Sequence, residues 1–340
     1  MIMRPRFAGP ALFAGICLAL AGIYGWHETG TAGATLAMLW LVLLLAVLEV
    51  SLSFDNAVVN AAVLTGMTPR WRHRFLTWGM AFAVFGTRIA FPLAIVGITA
   101  RLGPVDAVTL SLNDPARYEA IVGGAHGPIA GFGGAFLTLV GLAFFTDDGK
   151  ELHWLGWIER HLKKIAFGRG AAVALVLAVA LLVAHGLPAG EARAYLLAAA
   201  VGIAGFVAVE ALTATMRSRR AGPPRSGLGA FLYLNVLDAS FSLDGVIGAF
   251  ALTRNMVIIA IGLSIGAVFV RSLTMVMVER QTLAAYRYLE HGAFWAILVL
   301  GLIMLLSASV PVPEPVTGLI GAVLIGGAWW TSRNNPVSGS

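Results

Sequence analysis

The sequence predicts an all-α, polytopic membrane protein of about nine or ten transmembrane helices with inverted internal repeats. Of its 340 residues, 59% are hydrophobic and 12% are charged, whereas soluble domains have about 45–50% apolar and about 25% charged residues. Several apolar runs reach about 18 residues, the length needed to cross a hydrocarbon core. A short acidic sequence also occurs twice, each time inside an apolar run.

Ten apolar segments are candidate membrane spans. The first follows Arg4 and Arg6 and ends near Tyr24, and its alternative interpretation is a signal peptide cleaved near Ala32 or Ala34. We favour a spanning helix, because the topology of the other segments requires it. Those segments are residues 36–64, 75–98, 129–146, 171–187, 194–214, 228–253, 256–278, 293–309 and 315–331.

The basic residues follow this topology. If the spans alternate from an inner N-terminus, seventeen of the 23 Lys and Arg residues fall on the inner side and four on the outer side, as the positive-inside rule requires. Both termini are then cytoplasmic. The other two, Arg88 and Arg271, lie inside predicted spans. Because the net charge of +6 reflects topology, nucleic acid is not an expected partner.

The acidic sequence has two copies, Glu49–Asn56 and Asp238–Gly245, which align at a constant offset of 189 residues. Each copy is followed by a Gly and, nine residues later, an Arg, first Arg88 and then Arg271. We therefore predict two repeats, residues 1–190 and 191–340, with motif cores at 36–98 and 228–278. The topology inverts one repeat relative to the other, an arrangement typical of secondary transporters that alternate access to a site near the membrane midplane.

Charged side chains inside a membrane cost at least about 2.5 kcal/mol each and need partners or water. Two interpretations stay open. The acids could form a binding site, or they could be buried ion pairs: Glu49 or Asp55 with Arg88, and Asp238 or Asp244 with Arg271.

Helical spacing places Glu49, Ser53, Asn56 and Asn60 along one stripe and points Asp55 elsewhere on a regular helix. The run 36–64 would be about 43 Å long as one helix, which exceeds the hydrocarbon core. We predict a break at Ser53–Asn56, which would let both acids converge.

The ligand chemistry favours a hard divalent cation. Four carboxylates and two arginines leave a net charge of −2, and oxygen ligands without Cys or His favour Mg²⁺, Ca²⁺ or Mn²⁺. Met80 and Met275 could add a softer contact for Mn²⁺ or could simply pack. The predicted metal residues are Glu49, Asp55, Asn56, Asp238 and Asp244; the supporting or ion-pair residues are Ser53, Asn60, Arg88, Asn235, Ser242 and Arg271; Asp147 and Asp148 would attract cations at the inner mouth.

Three other segments carry weaker signals. Residues 101–128 contain Pro104 and Asn113-Asp114-Pro115 and are predicted to be a loop. Residues 147–170 are interpreted either as an amphipathic helix on the inner surface or as a solvated connector. Gly262-Leu-Ser-Ile-Gly266 matches a hydrolase motif, but inside a spanning helix it favours helix packing. We expect no enzymatic activity.

Both motifs, Glu49-Val-Ser-Leu-Ser-Phe-Asp-Asn-Ala57 and Leu237-Asp-Ala-Ser-Phe-Ser-Leu-Asp-Gly-Val-Ile-Gly-Ala249, resemble those of the TerC-like integral membrane family, named for tellurium resistance. The resemblance covers about residues 36–310. It implies a bacterial inner-membrane cation exporter associated with Mn²⁺ efflux, Mn²⁺ supply to exported metalloenzymes, and tellurite or metal-stress resistance. It would make Asp55, Asn56 and Asp244 metal-site positions, with Glu49 and Asp238 beside them. Gly245 stands where many members have Ser.

Three functional hypotheses follow. The first is a divalent-cation transporter, with Mn²⁺ favoured, which exchanges its cation for protons because a carboxylate cluster in low dielectric has raised proton affinity. The second is an anion or tellurite transporter that uses Arg88 and Arg271, although acids outnumber arginines in the spans. The third is a membrane scaffold for metal delivery or stress resistance. Expected partners are the metal ion, the bilayer, a second copy of the chain and, through the resemblance, exported metalloenzymes.

Overall fold

The computed structural model describes residues 7–147, 150, 152–166, 168–215, 227–250, 252–310, 312 and 314–334. Throughout these ranges the regular structure is helical, without strands. Eight helical segments in them are long and apolar enough to cross a membrane, with the run Pro69–Ala100 counted as one segment. The protein is therefore an all-α, polytopic membrane protein, and the predicted fold class is confirmed.

In chain order, the helices are α1 (Ala8–Thr29), α2 (Ala32–Leu52), α3 (Phe54–Thr65), α4 (Pro69–Arg74), α5 (Phe91–Ala100), α6 (Pro104–Asn113), α7 (Pro115–Gly124), α8 (His126–Phe145), α9 (Gly156–Ile165), α10 (Gly168–His185), α11 (Ala189–Thr215), α12 (Gly227–Ala249), α13 (Met256–Glu279), α14 (Thr282–Ala285), α15 (Leu289–Ser307) and α16 (Glu314–Asn334). Two π-helical stretches, π1 (Phe75–Gly79) and π2 (Phe82–Ala90), lie between α4 and α5.

The chain forms two compact units. Unit 1 consists of Met1–Phe54, Leu76–Ala125 and Phe241–Val276, and unit 2 of Asp55–Phe75, His126–Ser240 and Met277–Ser340. Each unit takes segments from both halves of the sequence, so the units are not the predicted repeats. The chain passes between units at Phe54–Asp55 and again at Ser240–Phe241. Both of these crossings fall inside copies of the acidic sequence.

In unit 1, α1 packs on α2, and α5 packs on π2, α6 and α7. The apolar core includes Leu45 of α2 and Leu263 of α13. The two helices approach closely: a Cβ added at Gly262 would lie 2.6 Å from the Cβ of Leu45. The Gly-x-Ser-x-Gly sequence therefore serves helix packing, as predicted, inside the continuous helix α13.

In unit 2, α8 packs against α10, α11 and α15, and α15 also packs against α16. Glycines allow the α8–α15 contact, since a Cβ at Gly134 would lie 2.6 Å from the backbone nitrogen of Leu305. Aromatic rings fill the end of this interface: Phe144 stacks on Phe294 with centroids 3.9 Å apart. Small residues on tightly packed membrane helices are expected, because backbone proximity strengthens van der Waals contact.

The predicted break in the run 36–64 is confirmed. Helix α2 ends at Leu52, Ser53 has φ −99° and ψ 16°, and α3 begins at Phe54. Asp55 then lies in the first turn of α3 and accepts a hydrogen bond from the backbone N–H of Asn56, 2.8 Å away. A carboxylate is favourable there because the amino-terminal end of a helix carries partial positive charge.

The predicted loop at residues 101–128 is wrong, because the structure forms α6 and α7 there. Pro104 and Pro115 occupy the first position of each helix, where the missing N–H of proline costs nothing. Asp114 caps α7 by accepting a hydrogen bond from the backbone N–H of Arg117. The residues interpreted as loop signals are helix-start signals.

Candidate functional site

Unit 1 contains a buried ion pair between Glu49 of α2 and Arg88 of π2. Arg88 also donates to the carbonyl of Ala83 and, at 3.2 Å, to the hydroxyl of Thr87. The π-helical turn brings residues five apart into register, which places the Ala83 carbonyl within reach of the guanidinium. One of the two predicted ion pairs therefore exists, and its charges compensate each other in a largely apolar region.

Glu49 is enclosed by three further residues of unit 1. Ser53 donates a 2.9 Å hydrogen bond to Glu49 Oε1, as the predicted four-residue spacing allows. A Cβ added at Gly266 would lie 2.5 Å from the Cβ of Glu49, and one at Gly245 would lie 3.1 Å from its Oε2. Two glycines thus leave the space that the glutamate occupies.

Unit 2 contains a different cluster, in which two neutral amides donate hydrogen bonds to a carboxylate. Asn56 and Asn60 of α3 both donate to Asp238 Oδ1 of α12, at 2.8 and 2.9 Å. All three side chains are buried, with Asn60 only 3% exposed. Within the described part of the chain, the Oδ1 atoms of Asn56 and Asn60 accept no hydrogen bond. Two buried amide oxygens therefore lack a donor beside a carboxylate.

Two other buried residues of unit 2 lie on the same two helices. Asn235 lies one turn before Asp238 and donates to the Phe231 carbonyl, while its own Oδ1 accepts no hydrogen bond from any described residue. Asp55 is buried on α3, and a Cβ added at Gly321 of α16 would lie 3.6 Å from its Oδ2. Unit 2 thus offers buried oxygen atoms from two carboxylates and three amides.

This oxygen-rich cluster is not a conventional carboxylate or histidine cage. No group of three His, Cys, Asp or Glu side chains that could hold a metal ion occurs among the described residues. Buried amide oxygens that lack donors carry partial negative charge, and a cation or a water molecule would satisfy them. The residues of this chain that could hold a cation are therefore Asp238, Asn56 and Asn60, with Asp55 and Asn235 on the same helices.

Arg271, the second intramembrane arginine, is buried in unit 1 and borders a cavity of about 600 Å³. Met80 and Met275 line the same cavity, together with the hydroxyl-bearing residues Thr77 and Ser272. Asp147 follows α8 and is half-buried. Asp148 and the side chains of Ser242 and Asp244 lie outside the described residues, so the predictions about them and about a partner acid for Arg271 stay predictions.

The candidate residues therefore divide between the units. Glu49, Ser53, Arg88 and Arg271 belong to unit 1, whereas Asp55, Asn56, Asn60, Asn235 and Asp238 belong to unit 2. The predicted convergence of Glu49 with Asp55 stays a prediction. Sequence reasoning did not single out Thr87, Gly266 as a neighbour of Glu49, or Gly321. Gly266 was recognised as a packing residue, but the spacing gave no sign that its partner was an acid.

Comparison with protein families adds one finding. A family model described as "Protein of unknown function (DUF475)" matches residues 54–336, which is most of the chain. The chain belongs to the DUF475 family. The match includes Asp55, Asn56, Asn60 and Asp238, and it begins after Glu49. The searches of curated proteins and of solved structures gave no match.

Proposed function

We propose that the protein is a divalent-cation transporter whose ion passes through the oxygen cluster of unit 2. The observation that carries the proposal is the arrangement of Asn56 and Asn60, whose amide nitrogens bond Asp238 while their buried oxygens have no donor within the described residues. Oxygen ligands of this kind suit Mg²⁺, Ca²⁺ and Mn²⁺. Mn²⁺ is the first ion to test, because the motifs resemble those of the TerC-like family.

The direction, coupling and location in this proposal rest on the resemblance and on general electrostatics. The protein would export its cation from the cytoplasm across a bacterial inner membrane by alternating access. Protons would replace the metal on the vacated carboxylates, since buried acids bind protons more tightly than exposed ones. An imposed pH gradient should therefore drive Mn²⁺ flux in vesicles, and equal flux with and without the gradient would contradict proton exchange.

The decisive experiment measures ⁵⁴Mn²⁺ uptake into proteoliposomes. Asp238→Asn and Asp55→Asn should each lower uptake by about 10- to 100-fold, the usual effect of changing a residue around a bound metal. Asp106→Asn is the matched control, because Asp106 is exposed on α6 and the substitution is chemically identical. Competition by Mg²⁺ and Ca²⁺ then ranks the three ions.

Two results would contradict the proposal. If the wild-type protein is inactive toward all three cations, the scaffold for metal delivery or stress resistance becomes the better hypothesis. If uptake falls equally in the Asp106 variant, the effect does not arise at the cluster. Against an anion pathway, Arg88 already pairs with Glu49, so one of the two arginines that such a pathway would use is neutralised.

A further inference from the structure

Helix α9 connects two helices that are each long and apolar enough to cross a membrane, α8 and α10. The segment between Phe145 and Gly168 contains no further candidate span among its described residues. Both ends of this segment must therefore lie at the same face of the membrane. This constraint keeps α9 close to that face.

A buried carboxylate, Glu159, marks the side of α9 that faces the protein. Glu159 is 1% exposed and accepts hydrogen bonds from the backbone N–H groups of Trp154 and Leu155, at 3.1 and 3.0 Å, and from Lys150 Nζ at 2.9 Å. The Lys150 ammonium also lies 4.3 Å from the ring centroid of Phe145. Trp154 and Leu155 directly precede α9, so their two hydrogen bonds cap its amino-terminal end, while the ion pair with Lys150 ties the buried side of the helix to the segment that follows α8.

The pKa shifts of Glu159 and Lys150 show how their ion pair depends on pH. Burial raises the pKa of Glu159, but the hydrogen bond from Lys150 and the backbone donors outweigh burial and hold the pKa of this carboxyl below its ordinary value. Burial lowers the pKa of Lys150, and Glu159 opposes part of that shift. The anchored state is therefore favoured above the usual pKa of a glutamate and weakens as the pH falls through the lowered pKa of Glu159.

The opposite face of α9 is exposed and combines apolar with basic side chains. Trp157, Ile158 and Ile165 are 69%, 42% and 62% exposed, and Arg160 and Lys164 are also exposed. At about 100° per residue, these five side chains span about 160° of the helix, centred opposite Glu159. Exposed tryptophan and isoleucine beside cations are typical of helices that lie in a membrane interface.

We propose that this face binds the headgroups of anionic phospholipids in the leaflet next to α9. The basic residues complement the negative headgroups, and Trp157 would lie at headgroup depth with Ile158 and Ile165 toward the acyl chains. The connector interpretation of residues 147–170 does not explain why three large apolar side chains face away from the protein. This proposal is independent of the transported ion.

The test compares phosphatidylglycerol with phosphatidylcholine as ligands of the purified full chain, using native mass spectrometry of the retained lipids. The double variant Arg160→Gln/Lys164→Gln should lose at least about fivefold of its affinity for phosphatidylglycerol, the effect of one basic residue at an anionic surface. Its affinity for phosphatidylcholine should not change. The matched control is Arg101→Gln/Arg193→Gln, which removes two exposed arginines elsewhere and should behave as wild type.

A third variant, Glu159→Gln, distinguishes lipid binding by an oriented helix face from lipid binding by net charge alone. Glu159→Gln removes a negative charge, so unspecific electrostatics predicts tighter binding of phosphatidylglycerol. The proposal predicts weaker binding, because loss of the ion pair with Lys150 loosens the contact that keeps the basic face of α9 turned toward the membrane. Equal lipid affinity in the Arg160/Lys164 variant and the wild type, an equal loss in the control, or tighter binding by Glu159→Gln would each overturn the proposal.

Discussion

The buried acids of the two units have different hydrogen-bond partners. In unit 1, Glu49 faces the guanidinium of Arg88, and the charges cancel. In unit 2, the amide nitrogens of Asn56 and Asn60 donate hydrogen bonds to Asp238, and these two donors are neutral. A compensated pair holds helices together, whereas the Oδ1 atoms of Asn56 and Asn60, which accept no hydrogen bond within the described residues, leave partial negative charge without a donor. Similar acidic sequences therefore acquire different side-chain partners from the residues that other helices bring to them.

The largest expected effect comes from removing the arginine of unit 1. Arg88→Met should lower the free energy of unfolding by about 3–5 kcal/mol, because it leaves the buried charge of Glu49 uncompensated. Thermal unfolding in detergent measures this loss. The double variant Glu49→Gln/Arg88→Met should recover most of it, since no charge then remains. If the double variant is as unstable as the sum of the two single variants, the pair does not act as a unit.

Substitution of Asp238 in unit 2 tests whether this acid, unlike Glu49, contributes little to stability. Asp238→Asn keeps the size of the side chain and an oxygen that accepts hydrogen bonds from Asn56 and Asn60, so the expected stability change is small while cation uptake falls. A loss of several kcal/mol here would mean that Asp238 has a structural role like that of Glu49.

The second largest effect tests the packing around Glu49. Gly266→Ala should destabilise the protein by about 1–3 kcal/mol, because the new methyl group would overlap the Glu49 side chain. The matched control is Gly205→Ala in α11, where no described heavy atom lies within 4 Å of the new Cβ and alanine favours the helix. Unfolding midpoints of both variants, measured side by side, check the difference. Equal stability of both variants would show that α2 and α13 can move apart to accommodate the methyl group at little cost in free energy.

A smaller effect is expected on Mn²⁺ affinity, which should depend on Asn60 in unit 2 and not on Ser53 in unit 1. Asn60→Ala should weaken Mn²⁺ binding by about 10-fold, because it removes one hydrogen bond to Asp238 and one buried oxygen. Ser53→Ala is the comparison in unit 1, since Ser53 bonds Glu49 rather than Asp238, and Mn²⁺ affinity should not change. Calorimetric titration of Mn²⁺ into detergent-solubilised protein gives both affinities. Weaker binding in the Ser53 variant would implicate the ion pair in cation binding.

The sequence predicted the helical membrane fold, the break at Ser53 and the ion-pair alternative for Arg88, because apolar length and isolated charges determine them locally. The partner of Asn56 and Asn60 could not be predicted, since it lies about 180 residues away and depends on how α3 packs on α12. The helices at residues 104–124 were missed because proline and aspartate begin helices as readily as they end them. Local patterns identified which residues mattered, whereas tertiary packing decided their partners.

The smallest predicted effect concerns Gly245, whose added Cβ would lie 3.1 Å from Glu49 Oε2. A serine at this position would bring a hydroxyl donor to the carboxylate, whereas an alanine would bring only a methyl group. We therefore expect Gly245→Ser to be more stable than Gly245→Ala by about 1 kcal/mol, the usual net contribution of one hydrogen bond. Paired thermal unfolding measurements test this difference, and repeating them in a Glu49→Gln background should reduce it. An alanine variant as stable as the serine variant would mean that Glu49 already has all the donors it needs: Arg88 balances its charge and Ser53 donates a hydrogen bond, without help from α12.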